Sequence, residues 1–280
     1  MLLLADSGST KVEWAIIKEG RECKKIVTQG INPHFQTSNE IVAALNEQLL
    51  PLLDGEEPNE LIFYSAGVAT PKFAMELTQV FSSLFTQCAV EVESDLLAAA
   101  RALCGDSPGV VGILGTGSNS CYYNGQETLQ KSFAGGYILG DEGSGAYFGR
   151  RVIGDWIKGV IPKELGEKFE KGYSLSYEKV VERVYRAPFP NRYLASFSTF
   201  LECEREHPYV KELLTDGFKS FIERSLHHYP YHTSPVNLVG SIASIFQREI
   251  EALFYRESIE LGRVLKSPME ELIKYHIDRR

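Results

Sequence analysis

Two stretches of this chain share one form: an apolar strand, a tight turn of small polar residues, and a second apolar strand. The first runs from Leu2 to Asp6, turns through Ser7, Gly8 and Ser9, and resumes from Thr10 to Lys18. The second starts at Val110, passes through Leu114 into Gly115-Thr116-Gly117-Ser118, and resumes over Ser120 to Tyr123. The same supersecondary unit met twice, far apart in one chain, points to an internal duplication and to a mixed α/β fold in two halves.

The rest of the pattern fits that division. Arg21 to Gln29 reads as a third strand closing an antiparallel opening. Ile41, Leu45, Leu49 and Leu52 recur at helical spacing within 39–53, and Leu61 to Ala66 returns to strand character before Gly67. Leu96 to Leu103 is alanine-rich and helix-favouring. The segment from Ala146 to about Tyr229 is helical and aromatic, broken at Pro188 and Pro190. Val236 to Val239 is a late short strand ahead of Gly240-Ser241, and Met269 to His276 reads as a terminal helix after Pro268.

Charge and cysteine usage exclude several classes. The net charge is -8 with no long basic run, so the electrostatic footprint of a nucleic-acid binder is missing. The five cysteines (Cys23, Cys88, Cys104, Cys121, Cys203) form no CxxC pair, which argues against a disulfide framework or a zinc site and suits a reducing cytoplasm. The apolar opening Leu2-Leu3-Leu4-Ala5 meets Asp6 too soon for a signal-peptide core, and no apolar run reaches the roughly 18 residues that span a bilayer. No membrane partner is expected.

The two turns have a chemistry of their own. In Asp6-Ser7-Gly8-Ser9-Thr10-Lys11, small side chains let backbone N–H groups approach phosphate oxygens, Asp6 is placed to hold magnesium through water, and Lys11 to neutralise a terminal phosphate. Gly115, Thr116, Gly117 and Ser118 offer a second cluster of N–H and hydroxyl donors. An ordinary hairpin turn uses the same residue types. Neither a P-loop nor a complete dinucleotide-binding glycine pattern is present.

Taken in order, Asp6-Ser-Gly-Ser-Thr-Lys11, Gly115-Thr-Gly-Ser118, Leu139-Gly-Asp-Glu-Gly-Ser-Gly145 and Val239-Gly-Ser241 resemble the motifs of the sugar kinase, actin and heat-shock-chaperone superfamily. Within it the pattern is most similar to N-acetylglucosamine kinases and the BadF/BadG/BcrA/BcrD-type ATPases. The resemblance implies two ribonuclease-H-like, actin-like lobes with ATP, Mg2+ and substrate in an interlobe cleft. It places an N-terminal lobe at 1–105, joined by the terminal helix at 266–280, and a C-terminal lobe with a helical insertion at 106–265. Both hairpins would embrace the phosphates, with Gly240 and Ser241 bordering adenosine, and a homodimer is expected.

The same resemblance suggests the acceptor site. Asp95 sits at a helix start, where an aspartate commonly serves only as a cap; in the similar kinases the corresponding aspartate takes the proton from the attacking sugar hydroxyl. Asp141 would accept from sugar hydroxyls, beside Gly136, and Asn32 in Gly30-Ile31-Asn32-Pro33-His34 would contact a hydroxyl or acetamido group. Tyr137 stands where the animal enzymes usually have tryptophan, and the segment before Asp141 is shorter than theirs. The expected activity is phosphorylation of an amino sugar, N-acetylglucosamine first, glucosamine or N-acetylmuramic acid next. The alternatives are an iron–sulfur ATPase activator of acyl-CoA reductases or dehydratases, with Cys104 and Cys121 as the nearest cysteine pair, or a non-catalytic sugar sensor.

Overall fold

The computed structural model describes residues 1–280 apart from Ser9, His34, Phe35, Ala69 and the side chain of Gln130. The chain forms two compact units, one of 1–107, 125–127 and 267–280, the other of 108–124 and 128–266. Among the described residues no helix is long and apolar enough to cross a membrane.

The first unit is built on a five-stranded sheet of β1 (Leu2–Ser7), β2 (Lys11–Lys18), β3 (Arg21–Gln29), β4 (Glu60–Ser65) and β5 (Ala89–Ser94), in the order β3-β2-β1-β4-β5. β1 pairs antiparallel with β2 and parallel with β4, and β4 pairs parallel with β5. Being central and covered on both faces, β1 is apolar almost throughout rather than alternating. Residues Leu3, Ala5, Val12, Trp14 and Phe63 pack under helices α1 (Ser38–Gln48) and α2 (Pro71–Leu84), whose Ile41, Leu45, Leu77 and Phe81 complete that layer. Trp14 is fully buried, and its indole N–H donates to Thr28 Oγ1 at 3.0 Å, so the large ring carries no unsatisfied donor. Helix α1 starts with a capping box in which Thr37 and Glu40 bond reciprocally, worth about 1 kcal/mol. The helical spacing that runs on through Leu52 is interrupted at Pro51, and Leu50–Leu53 forms a separate 3-10 turn. On the opposite sheet face lie helix α3 (Asp95–Cys104) and the terminal helix Met269–Ile277.

The second unit repeats the arrangement. Its strands are β6 (Gly109–Leu114), β7 (Ser118–Tyr123), β8 (Thr128–Lys131), β9 (Val236–Val239) and β10 (Leu261–Leu265), in the order β8-β7-β6-β9-β10. Pairing is antiparallel across β6-β7 and β7-β8 and parallel across β6-β9 and β9-β10. First-to-fifth strand order and directions therefore match those of the first unit, which is the duplication that the two hairpins announce. Between β8 and β9 the chain winds through α4 (Gly136–Leu139), α5 (Gly145–Ile157), α6 (Lys163–Tyr173), α7 (Tyr177–Tyr185), α8 (Pro190–Ala195), α9 (Ser198–Cys203) and α10 (Pro208–Phe221). Helix α10 runs into a π-helical turn, Ile222–Leu226. Helices α11 (Ser241–Ile245) and α12 (Gln247–Arg256) separate β9 from β10, and the terminal helix is α13. The core of this unit is aromatic, with Phe148, Phe218 and Phe246 meeting edge-on or tilted at ring separations of 5.2–6.4 Å.

Candidate functional site

In a sheet with parallel central strands, chemistry gathers at the carboxyl ends, where chain reversals leave backbone groups open. In the first unit those ends are aligned. Ser7, Ser65 and Ser94 are direct partners across β1, β4 and β5, and the preceding row is Glu13, Asp6, Tyr64 and Glu93. Ser94 caps α3, its hydroxyl accepting from the Leu97 N–H at 3.3 Å. Asp95 is thus the first helical residue rather than the cap, and need not be spent on capping.

Asp6 is the most perturbed acid of this unit. Burial is the largest cause, the nearby charges of Asp95 and Glu13 add to it, Lys11 opposes it, and the carboxyl is raised to about 7. Such a group favours a cation close by. Among the described residues no cluster of three or more His, Cys, Asp or Glu side chains could hold a metal. Magnesium keeps most of its waters and needs only one or two carboxylates, so a single perturbed aspartate beside a second acid fits it. Lys11 is ion-paired with Glu13, which also accepts from Ser267 Oγ at 2.9 Å. The first turn is closed by Gly8 N–H donating to Lys11 O at 3.0 Å. Ser9 and His34 lie outside the described residues.

Two contacts hold the Asn32 loop to the sheet ends. Ser7 is buried and its hydroxyl donates to Ile31 O at 3.0 Å, while Asn32 N–H donates to Gln36 Oε1 at 2.8 Å. Gly67 lies beneath the loop: a Cβ there would stand 2.6 Å from Pro33 Cδ and 3.0 Å from Asn32 Oδ1, so only glycine lets Asn32 sit so close. The Ser7 hydroxyl is therefore structural.

In the second unit three glycine-bearing segments converge. The turn after β6 closes with Gly115 N–H donating to Gly117 O at 2.9 Å, and its carbonyls receive the start of α5: Gly145 N–H donates to Gly115 O at 2.9 Å and Ala146 N–H to Thr116 O at 3.0 Å. Gly240, with φ 127°, passes so near the turn that a Cβ would lie 2.2 Å from Leu114 O. Its N–H donates to Leu265 O at 2.9 Å, and Ser241 begins α11 directly after it.

Asp141 lies against the turn after β6. Its Oδ1 accepts the Ser118 N–H at 3.3 Å, and a Cβ on Gly117 would stand 2.9 Å from Oδ2. Asp141 holds a left-handed backbone (φ 55°), fixed by its N–H donating to Ala134 O at 3.0 Å and its carbonyl accepting from Ser144 N–H at 3.1 Å. Burial pushes its carboxyl up to about 6, the Ser118 amide pulls the other way, Glu142 adds to the rise and Arg150 opposes it. Gly136 opens the short helix α4 with φ 71°, and Tyr137 stands half-buried on that helix. Helix α5 starts at Gly145 and runs to Ile157.

Sequence reasoning passes over four polar participants. Glu13 and Tyr64 flank Asp6 only because of strand register, Ser144 caps α5 by accepting from Tyr147 N–H at 3.1 Å, and buried Glu142 pairs with Arg224 at 2.6 Å. A period-two reading that carries register across the first hairpin would have found Glu13, and an N-cap reading of the serine before Gly145 would have found Ser144; the Tyr64 and Glu142–Arg224 contacts link distant segments. Cys121, one of the two cysteines that the iron–sulfur alternative needs, is wholly buried on β7.

Comparison with known proteins agrees with this architecture. No family model matches the chain, and no curated protein matches it. A provisionally named N-acetylglucosamine kinase of Porphyromonas gingivalis has a solved structure that superposes with a TM-score of 0.95 at 43% identity, over 99% of both chains. A second, provisionally so named from Chromobacterium violaceum, matches at 17% identity over 98% of both chains with a TM-score of 0.76. A ROK family glucokinase from Streptomyces griseus, solved with glucose and AMPPNP, shares 16% identity over 98% of this chain and 97% of its own, with a TM-score of 0.55. The latter two speak for the fold, and the first, near-identical in length and path, carries the assignment: this chain belongs to the N-acetylglucosamine-kinase-like family of the sugar kinase, actin and heat-shock-chaperone superfamily.

Proposed function

We propose that the protein transfers the γ-phosphoryl group of ATP to a hydroxyl of an amino sugar, N-acetylglucosamine first, with glucosamine and N-acetylmuramic acid as the next candidates. One observation carries the reading: the Asp141 carboxylate, an acceptor suited to sugar hydroxyls, lies against the glycine turn at Gly117 and Ser118, next to the start of α5. A hydroxyl acceptor beside a turn suited to phosphate is what phosphoryl transfer to an alcohol requires, since that reaction depends on positioning and charge neutralisation. Family membership supports it, and so does the name given to the Porphyromonas gingivalis relative.

Roles then divide as follows. The Gly8 turn, through Ser7, Gly8, Thr10 and Lys11, and the second turn hold the phosphates. Because the Gly115 and Ser118 amides are engaged within their own unit, Thr116 and Gly117 carry most of that task in the second turn. Gly240 and Ser241 border the adenosine. Asp6 holds magnesium through water, and the metal's contribution is to neutralise charge developing on the phosphates. Asp95 accepts the proton of the attacking hydroxyl as its oxygen bonds to the γ-phosphorus and the bond to the β-phosphate oxygen breaks. Asn32, Gly136 and Asp141 orient the sugar.

The test is a coupled ADP-release screen over amino sugars, hexoses and their N-acetyl and lactyl derivatives, beside a control without acceptor. ADP release that depends on an N-acetylated or free amino sugar is expected. Release that is indifferent to every sugar overturns the reading.

A further inference from the structure

Glu142 is a buried carboxylate in the motif that supplies Asp141, and the chemistry above gives it no task. Its Oε1 accepts from Arg224 Nε at 2.6 Å. Arg224 belongs to the π-helical turn that extends α10, and the end of α10 before it packs on the motif: a Cβ on Gly143 would lie 3.2 Å from Phe221 Cβ and 3.4 Å from Phe218 Cδ1. A π turn adds a residue to the helical circuit and is frequent at functional sites. Here it ends a helix whose two phenylalanines fix the loop and whose arginine meets the loop's second acid.

We infer that Arg224 and Glu142 are positioning residues for Asp141: by pairing with Arg224, Glu142 is occupied as an acceptor, and Asp141 alone is left to receive sugar hydroxyls as an anion. The inference rests on the reading of Asp141 as the sugar-hydroxyl acceptor. The charged and polar groups that face Asp141 are the Ser118 N–H from β7, Glu142 from its own loop, Arg150 from α5 and, through Glu142, Arg224 from the π turn. Arg150 is itself anchored, donating through Nη1 to Ile138 O at 2.6 Å. Two adjacent carboxylates repel one another's charge, and the Arg224 guanidinium cancels that repulsion at its source.

Three variants separate this from a packing role. Arg224→Ala removes the cation from a side chain that is 66% exposed, Arg224→Lys restores charge without the planar fork, and Glu142→Gln removes the anion at nearly constant volume. Two readouts are taken against pH: the carboxyl 13C titration of Asp141, assigned by its loss in Asp141→Asn, and kcat/KM for N-acetylglucosamine. In Arg224→Ala the Asp141 midpoint and the acid limb of kcat/KM both move up by about one pH unit. In Glu142→Gln both move down, and Arg224→Lys returns most of the way to wild type. Midpoints that stay put, or that shift in the same direction in Arg224→Ala and Glu142→Gln, overturn the inference. A wild-type protein that phosphorylates no sugar sinks the functional reading instead, while the 13C titration still decides the electrostatic pairing.

Discussion

The carboxylate of Asp141 accepts the backbone N–H of Ser118 at 3.3 Å, across 23 positions of sequence, and so joins the motif before α5 to the turn after β6. Gly117 makes this possible by presenting no side chain where the carboxylate lies. Gly117→Ala puts a methyl group 2.9 Å from Oδ2 in a site with little room to relax. We expect a cost of about 1–3 kcal/mol shared between stability and sugar binding, seen as a lower Tm and a KM for the sugar raised by about tenfold. An unchanged KM would detach Asp141 from the sugar.

Replacement of Asp141 itself should separate stability from binding. Its carboxyl titrates at about 6 in the folded chain against an ordinary 3.8, so the folded state holds the proton more tightly. The associated stability is complete below the ordinary value and is lost as pH rises through about 6. Asp141→Asn keeps an oxygen for the Ser118 amide, tolerates the left-handed backbone and never ionises. Urea denaturation is expected to show it more stable than wild type by about 2 kcal/mol at pH 8 and equal at pH 4. Its sugar affinity should fall.

Asp95→Asn addresses the proton acceptor. Since Ser94 and not Asp95 caps α3, the helix should survive the change. Phosphorylation is expected to drop by at least about a hundredfold with ADP affinity retained. Wild-type turnover in the variant would end the assignment.

His276 supplies a stability switch within the first unit. It lies within hydrogen-bond distance, 2.9 Å, of the Tyr64 hydroxyl, which also accepts from Arg101. Burial, then the charges of Arg101, Arg280 and Arg279, lower the imidazole to about 4. The stability it contributes is present above its ordinary value of 6.5 and is lost as pH falls towards 4. His276→Gln keeps an amide able to hydrogen-bond Tyr64 but cannot take up a proton. Between pH 6.5 and 4, wild type is expected to lose about 2 kcal/mol that the variant keeps, measured by chemical denaturation; parallel curves would refute it.

Much of this was legible beforehand wherever a local rule decides the structure. Arg21 to Gln29 and Val236 to Val239 are strands at the expected ends, and both hairpins are where small-residue turns place them. Other elements lacked a strong local signal. Strand β8 has four residues at a sheet edge, β10 contains Gly262 and Arg263, and β5 alternates Val90 and Val92 with Glu91 and Glu93 in a short run that was passed over. Within the candidate site, the residue types of Asp6, Asp95 and Asp141 stood out in sequence. Their surroundings did not: the row that sets Glu13 and Tyr64 beside Asp6 depends on strand register, and the Glu142–Arg224 pair depends on a π turn that no periodicity announces.

Helix α13 belongs to the first unit and packs on α3, β1 and β2, although it follows the whole of the second unit along the chain. On a ribosome, the unit that emerges first must wait without the helix that packs on α3, β1 and β2 while the unit that emerges second closes its own sheet. Order of birth and order of completion are thus reversed, and a nascent chain stalled short of Met269 would leave the surface of α3, β1 and β2 on which α13 packs open to whatever chaperone meets it.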